Sequence, residues 1–146
     1  MHSMAIQYYI NLEIELNHWL DILKRSGLGE RRPVQDLDCM RGMLENCNLL
    51  VSAWDGPKLV GVARSMTDFH YACYLSDLAV DIEYQGRGIG RALQQQTQEQ
   101  LGPQCKLILI AAPAANSYYE HIGFSNHPRC WVLERSQVIQ SPALEN

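Results

Sequence analysis

A run of three glycines at alternate positions constrains this chain more than any other feature; these are Gly86, Gly88 and Gly90. The run follows an apolar, strand-like stretch at 72–80 and opens a stretch at 88–101 that has helical spacing. Because glycine has no Cβ, the backbone can turn sharply there and approach a ligand closely. The amides that begin a helix, together with the positive end of its dipole, attract anions. The run therefore predicts a strand-to-helix loop that can hold a pyrophosphate, with Arg87 and Arg91 adding charge at its rim.

Three other interpretations of this loop compete with that one. A dinucleotide fingerprint, G-x-G-x-x-G, needs a third glycine where this chain has Arg91. A P-loop needs a Lys-Ser or Lys-Thr pair, which the segment lacks. The glycines could also serve only a tight turn between a strand and a helix. The spacing disfavours the first two interpretations and leaves the third open.

The pattern of apolar residues predicts an alternation of strands and helices along the chain. Strands are predicted at 4–10, 49–54, 59–66, 72–80, 106–112 and 130–134, and helices at 12–25, from 36, at 88–101 and at 114–122. The consecutive strands between 49 and 80 imply an antiparallel meander, and Asp55-Gly56 is typical of a hairpin turn. The strand-helix-strand passage from 72 to 112 implies a parallel pair. We therefore expect an α/β (mixed α+β) fold, with a mixed central sheet and helices on both faces.

Length and composition indicate one ordinary domain. The 146 residues, 47% of them hydrophobic, suffice for a single core, so we expect one domain over 1–146 with a polar tail at about 140–146. The apolar runs are shorter than the roughly 20 residues that span a bilayer. Residues 1–4 lack the basic start and the apolar run of a secretory signal. A cytoplasmic protein that does not associate with membranes is expected.

Charge and cysteine usage exclude further classes of protein. The 12 basic and 16 acidic residues give a net charge of −4, and division after Cys73 leaves −2 in each half. The chain therefore has no basic lobe for a nucleic acid. Five cysteines at wide spacings, without a C-x-x-C pair, disfavour a metal site and a disulfide framework. We expect buried, reduced thiols and no metal.

The glycine run and its flanks resemble a known family. Gln85-Gly-Arg-Gly-Ile-Gly90 is similar to the acetyl-CoA signature of the GNAT acetyltransferases, Q/R-x-x-G-x-G/A, and Asp77-Leu-Ala-Val80 is similar to the end of that family's fourth strand. The resemblance implies a GNAT-like acyl-CoA N-acyltransferase fold. It also implies acetyl-CoA as the co-substrate and direct transfer of the acetyl group to a primary amine in a ternary complex.

The same resemblance implies which residues bind the cofactor. The backbone of the fourth strand would pair with the pantetheine arm, through Leu78, Ala79 and Val80. The loop would hold the pyrophosphate, through Gln85, Gly86, Arg87, Gly88, Ile89, Gly90 and Arg91. A β-bulge near Leu78 would leave an amide free for the oxyanion of the tetrahedral intermediate.

A second motif lies about thirty residues further along the chain. Asn116-Ser-Tyr-Tyr-Glu-His-Ile-Gly-Phe124 resembles the family's F-Y-E-K-L-G-F segment, with Tyr119 at the tyrosine position. A phenol with a pKa of about 10 can protonate the departing thiolate, so Tyr119 is the predicted general acid, and a packing role is its alternative. The resemblance implies that Asn116 contacts the pantetheine or phosphate arm, and a helix cap is its alternative.

The general base is harder to identify from the sequence. By register, Tyr74 occupies the position where many members of the family carry a glutamate. Asp77 and His70 are the nearest titratable alternatives, although a solvated or sheet-edge position would explain each of them as well. A chain of water molecules is a third option.

The acceptor and the partners are constrained only in class. A small-molecule or peptide amine is expected as the acceptor, and a homodimer is left open. Candidates for the acceptor pocket are Trp19, Arg31, Arg32, Phe69, His70, Tyr71 and Trp131. A non-catalytic CoA-binding regulatory or sensor module on the same fold is the alternative function.

Overall fold

The computed structural model describes residues 5–142, and the chain divides after Ile110 into two compact units. The expected lack of a signal at 1–4, the predicted start of the first strand at residue 4 and the tail beyond 142 lie outside the described residues. A single domain over 1–146 stays a prediction.

The first unit contains a mixed five-stranded sheet. Its strands are β1 (Ile6–Ile10), β2 (Leu49–Asp55), β3 (Lys58–Thr67), β4 (Ala72–Val80) and β5 (Lys106–Ile108). The strands lie side by side in chain order, and the pairing is antiparallel from β1 to β4 and parallel between β4 and β5. The predicted meander and the predicted parallel pair are both confirmed. The hairpin turn between β2 and β3 contains Gly56, whose φ of 56° suits glycine.

Helices cover both faces of the sheet, as expected. They are α1 (Leu16–Ser26), α2 (Leu37–Asn46) and α3 (Ile89–Glu99). On one face the buried side chains of α1 and α2, among them Trp19 and Met40, pack against Val62 of β3 and Ala79 of β4. On the other face Leu93 of α3 packs with other apolar side chains of the sheet. The sheet therefore separates two apolar cores, and burial of these side chains stabilises the fold.

The first helix begins four residues later than the apolar spacing predicts. The Asn11 side chain accepts a hydrogen bond from the Leu50 amide at 2.8 Å, and the Asn11 amide donates to the Leu50 carbonyl at 2.7 Å. These bonds hold the chain beside the edge of the sheet, so the helix cannot start there. The predicted end at 25 and the predicted start of the next helix at 36 each hold to within one residue. α1 ends at Ser26, before Gly27 with its φ of 85°, and α2 begins after Asp36, which caps it by accepting from the Cys39 amide.

One residue of β4 does not pair in regular alternation with β3. Arg64 pairs with Asp77 and Ser65 pairs with Leu75, so Ser76 is an extra residue and forms a β-bulge. The sequence predicts this bulge near Leu78, two residues further along. Because of the extra residue, Leu75 and Leu78 both belong to the core on the α3 side although they are three positions apart.

The parallel ladder between β4 and β5 is short. It consists of three pairs and ends at Tyr74 and Ile108, immediately before the bulge. The predicted strand at 106–112 is therefore too long by four residues. Among the described strands, β4 pairs with β3 and not with β5 beyond the bulge.

The second unit contains a single turn of 3-10 helix, Pro113–Ala115, followed by α4 (Asn116–His121). The predicted helix at 114–122 is confirmed in its existence and is shorter. The predicted strand at 130–134 is wrong: these residues form no strand, and Trp131 is 89% exposed. A strand needs a neighbour for its backbone hydrogen bonds, and the described part of this unit contains no other strand.

The five cysteines are free thiols; the expected burial holds for Cys73 and is wrong for Cys39 and Cys130, which are exposed. Among residues 5–142, no group of histidine, cysteine or carboxylate side chains has the arrangement to hold a metal ion. None of the helices in this range combines the length and the apolar composition that crossing a bilayer needs.

Two glycine-to-alanine variants test the packing of α3 on the sheet. A Cβ at Gly61 would lie 3.0 Å from Leu93 Cδ1 and 3.2 Å from the Ala79 carbonyl oxygen, whereas a Cβ at Gly42, inside α2, would meet nothing within 4 Å. Gly61→Ala should lower the free energy of unfolding by about 1–3 kcal/mol through overpacking. Gly42→Ala should raise it by about 0.4–1 kcal/mol, because alanine reduces the entropy of the unfolded chain. Urea titration measures both, and equal shifts in the two variants would contradict this packing.

Candidate functional site

The glycine loop has the backbone conformation that the sequence predicts. Gly86 has a φ of 77° and Gly88 a φ of 81°, which residues with a Cβ rarely adopt. Gly88 occupies the N-cap position of α3. A Cβ at either position would meet nothing within 4 Å, so the space beside this loop is open within its own unit. The loop is therefore an exposed, glycine-dependent turn at the start of a helix.

The start of α3 can bind an anion because of its backbone. The first amides of a helix have no partner inside the helix, and the helix dipole places partial positive charge there. The helix itself is held firmly, since Ile89 and Leu93 are buried against the sheet. Arg87 and Arg91 are exposed beside this end. Gly90 is the second residue of the helix and is half-buried.

Tyr84 contacts the glycine loop and helps to hold it in place, although the sequence motif does not single out this residue. The Tyr84 hydroxyl donates a hydrogen bond to Asp55 Oδ2 at 2.6 Å. This bond raises the pKa of the phenol, because it is made only while the hydroxyl keeps its proton. The Arg87 guanidinium and the Lys58 ammonium each lie 5.1 Å from the centre of the Tyr84 ring. Tyr84 thus links the loop to the hairpin between β2 and β3. Its position next to Gln85 was the only sequence signal for this role.

The part of β4 beyond the bulge, Asp77 to Val80, is called the outer half here, and it leads directly into the glycine loop. Leu78 and Val80 are half-buried in the core on the α3 side, and Ala79 is buried on the opposite side. These residues pair with β3 and lie beyond the end of the ladder with β5. Gln85 Nε2 donates to the Val80 carbonyl at 3.0 Å, which ties the loop to the end of the strand. The end of a strand and the start of a helix therefore follow each other closely between Leu78 and Arg91.

The candidates for the general base have very different surroundings. Asp77 is fully buried, and both of its carboxylate oxygens accept hydrogen bonds from arginines. The alternative of a solvated or edge position is therefore wrong for Asp77, because the bulge turns its side chain inward. His70 is exposed on the loop between β3 and β4, and Tyr74 is 36% exposed.

Asn116 and Tyr119 lie on α4 in the second unit. Burial raises the pKa of the Tyr119 phenol, with a smaller contribution from Tyr118. The Tyr119 ring makes edge contacts with the rings of Tyr118, at 5.2 Å, and Phe124, at 5.4 Å. Asn116 is the first residue of α4 and is exposed; the position before it is Ala115 and no side chain caps the helix, so the helix-cap alternative is wrong.

The candidates for the acceptor pocket that lie in the first unit do not gather in one place. Trp19 is fully buried in the core, Trp131 is almost fully exposed in the second unit, and Arg31 is exposed. Arg32 reaches Asp77 and also lines an open cavity of about 790 Å³ beside the connection between α1 and α2. The remaining candidates, Phe69, His70 and Tyr71, form the loop between β3 and β4.

Comparison with known sequences identifies the same family that the glycine motif resembles. The model of the acetyltransferase (GNAT) domain matches residues 26–131 of this chain. GCN5-related N-acetyltransferase 2, chloroplastic, of Arabidopsis thaliana is 33% identical over 76 residues, which are 49% of this chain and 28% of that protein. The N-acetyltransferase ycf52-like of Prochlorococcus marinus is 28% identical over 116 residues, which are 75% of this chain and 63% of that protein. The chain thus spans less than two thirds of the length of either relative.

Comparison with solved structures supports the architecture. The aminoglycoside N-acetyltransferase AAC(6')-Iy, solved in complex with CoA, superposes with a TM-score of 0.66 over 92% of this chain and 97% of that one. The two sequences are 15% identical, so this likeness concerns the fold alone. The mixed sheet with helices on both faces is the arrangement that the two chains share.

Proposed function

Because the chain belongs to the GNAT family of acetyltransferases, we propose that it moves the acetyl group of acetyl-CoA onto a primary amine by direct transfer in a ternary complex. The observation that carries this proposal is the continuity between the outer half of β4 and the glycine loop. An extended ligand with an amide-rich arm and a pyrophosphate needs both features in that order. The structure of AAC(6')-Iy with CoA supports the choice of ligand.

Each part of the cofactor has a proposed partner in the first unit. The pantetheine arm pairs with the backbone of Leu78, Ala79 and Val80, on the side of β4 that lies beyond the ladder with β5. The pyrophosphate lies against the loop of Gln85, Gly86, Arg87, Gly88, Ile89, Gly90 and Arg91. Two positive-φ glycines let the amides converge there, and the side chains of Arg87 and Arg91 add charge. No metal is needed for this binding.

The reaction requires three groups besides the cofactor: a general acid, a hydrogen-bond donor for the oxyanion and a general base. The neutral amine attacks the thioester carbon, the C–S bond breaks, and the thiolate of CoA takes a proton from an acid. The proton that the attacking nitrogen loses on becoming an amide passes to water or back to the ionised acid. We assign the role of the acid to Tyr119, whose raised pKa keeps the phenol protonated at neutral pH. An amide near the bulge of β4 stabilises the oxyanion. Asn116 is assigned to the pantetheine or phosphate arm.

The amine must lose a proton before it attacks, because a lysine-like amine has a pKa of about 10.4. Asp77 is a poor candidate for the base, since arginines occupy both of its oxygens inside the protein. His70, which is exposed, or a chain of water molecules therefore remains. The acceptor is a small-molecule or peptide amine; a cytoplasmic location and a homodimer stay predictions.

One observation favours a second function. Tyr74 stands where many members of the family carry a glutamate, and the described strand β4 offers no exposed carboxylate. A protein that binds CoA and senses it, without transferring the acetyl group, would need the loop and not the base. An assay that detects release of the free CoA thiol from acetyl-CoA, with a panel of amines, distinguishes the two functions. Only a transferase releases the thiol in a way that depends on the amine.

Binding of the cofactor can be measured without knowing the acceptor. CoA and acetyl-CoA should raise the melting temperature, because a ligand at 100 times its Kd stabilises the folded state by about 2.7 kcal/mol. NAD and ATP at the same concentration should have a smaller effect. Equal stabilisation by all four nucleotides would contradict the assignment of the loop.

Gly88→Glu tests where the pyrophosphate binds. It introduces a side chain and a negative charge at the start of α3, so the Kd of CoA should rise steeply in calorimetry. Gly27→Glu is the matched control, because Gly27 has a φ of 85° and equally open space around it. Both variants carry the same backbone strain. Loss of CoA binding in the control as well would show that strain alone explains the effect.

Tyr119→Phe tests the general acid. The value of kcat should fall by about 10²- to 10⁴-fold, while the affinity for CoA changes little. The wild type should lose activity as the pH rises through the raised pKa of Tyr119, above its ordinary value of about 10, and the variant should lack this limb. Tyr118→Phe is the control on the neighbouring ring, and it should keep both the wild-type kcat and the loss of activity at high pH. Normal turnover in Tyr119→Phe would move the acid role to another group.

A further inference from the structure

A buried ion cluster lies at the bulge of β4. Asp77 is fully buried and accepts from Arg32 Nε at 2.7 Å through Oδ1 and from Arg64 Nε at 2.5 Å through Oδ2. The side chain of Arg64 is 3% exposed and that of Arg32 is 21% exposed. Burying charges costs free energy unless each one is paired and hydrogen-bonded, so this cluster requires its own explanation.

The same two arginines also bind the extra residue of the bulge. Arg32 Nη2 donates to the Ser76 carbonyl at 2.7 Å, and Arg64 Nη2 donates to Ser76 Oγ at 3.0 Å. The extra residue of a bulge is left out of the regular ladder, so its backbone groups need other partners. The planar guanidinium of Arg32 supplies one partner while its Nε holds Asp77. Two residues in sequence, Ser76 and Asp77, are thus gripped together.

The position of the bulge determines which side chains of β4 face which core. A slip of one residue would send Leu78 and Val80 to the face of α1 and α2, and Asp77 to the face of α3. The slip would also move every amide and carbonyl that the outer half of β4 presents beside the loop. The cluster opposes such a slip because Asp77 would lose both arginines.

Arg32 brings a distant part of the chain into this arrangement. It lies in the connection between α1 and α2, and its Nη1 donates to the Arg31 carbonyl at 2.9 Å. Arg64 reaches α2 as well, through the Met43 carbonyl at 3.1 Å. The cluster therefore joins the helical layer on one face of the sheet to the bulge.

We propose that Arg32 is a positioning residue, which fixes the bulge at Ser76 and thereby holds the outer half of β4 in the register that binds the cofactor. This inference rests on the proposed function, since it assigns the purpose of the register to CoA. Arg32 does not touch the reacting atoms. It acts through Ser76 and Asp77 on the backbone of Leu78 to Val80.

Arg32→Lys is the main test. Lysine keeps the positive charge beside Asp77 but presents one ammonium group in place of the fork, so it cannot hold Oδ1 and the Ser76 carbonyl in the same geometry. The Kd of CoA should rise about tenfold by calorimetry. Relative to the wild type, hydrogen exchange should speed up more at the amides of Leu78 and Val80 than at the core amides of β2. Arg41→Lys is the matched control, because Arg41 pairs with Asp38 on the exposed side of α2, and it should change neither quantity.

A second variant keeps the inference testable if Arg32→Lys folds poorly. Ser76→Ala removes only the hydroxyl that accepts from Arg64 and leaves the carbonyl that accepts from Arg32. It should weaken CoA binding much less than Arg32→Lys does, since the clamp on the backbone is kept. Equal losses in Ser76→Ala and Arg32→Lys would overturn the role of Arg32.

Three further outcomes decide between this inference and its alternatives. Unchanged CoA binding and unchanged exchange in Arg32→Lys would overturn the inference, as would faster exchange that is uniform across all strands, which indicates a loss of global stability only. A wild-type protein that binds no CoA would instead contradict the proposed function. In that case the exchange of Leu78 and Val80 in the folded variant still decides whether Arg32 holds the bulge.

Discussion

The arrangement of the first unit depends on the pairing of Asp77 with two arginines inside the protein. This carboxylate follows the extra residue of β4, and its burial is tolerable because Arg32 and Arg64 pair with it and each donates a hydrogen bond to one of its oxygens. With Asp77 held on the side of α1 and α2, Leu75 and Leu78 can both serve the core on the other side. The alternation of the strand is thus reset once, at a defined residue.

That reset separates the sheet into two regions with different tasks. Before the bulge, β4 is bonded on both sides, to β3 and to the three-residue strand β5. Beyond it, β4 is bonded to β3, and the strand runs on to the glycine loop and the start of α3. The region of regular pairing supplies rigidity, and the region beyond it is where we propose that the cofactor binds. Tyr84 and Asp55 attach the loop to the neighbouring hairpin, so both regions rest on the same scaffold.

The sequence predicted the elements of the first unit well, because each has a local signal. The boundaries of β4, the cap at Asp36 and the stop at Gly27 follow from apolar spacing and from single residues. The start of α1 and the burial of Asp77 were not predictable, since they depend on Asn11 and Arg32 meeting partners far away in the chain. The length of β5 has no local signal either. For the candidate site, the glycine loop was readable as a motif, whereas Tyr84 and the arginine clamp have no periodic or motif signature.

The cluster at the bulge also affects how such a sequence can change over time. Replacing Asp77 alone leaves two arginines facing each other in the interior, and replacing either arginine leaves a carboxylate with one oxygen unsatisfied. Effects at residues that share one hydrogen-bond network are not additive, so the consequence of a substitution at any of the three positions depends on the other two. Replacement of all three side chains by apolar ones together would leave no buried charge unpaired. The fold of β4 therefore depends on a set of residues from three separate segments of the chain.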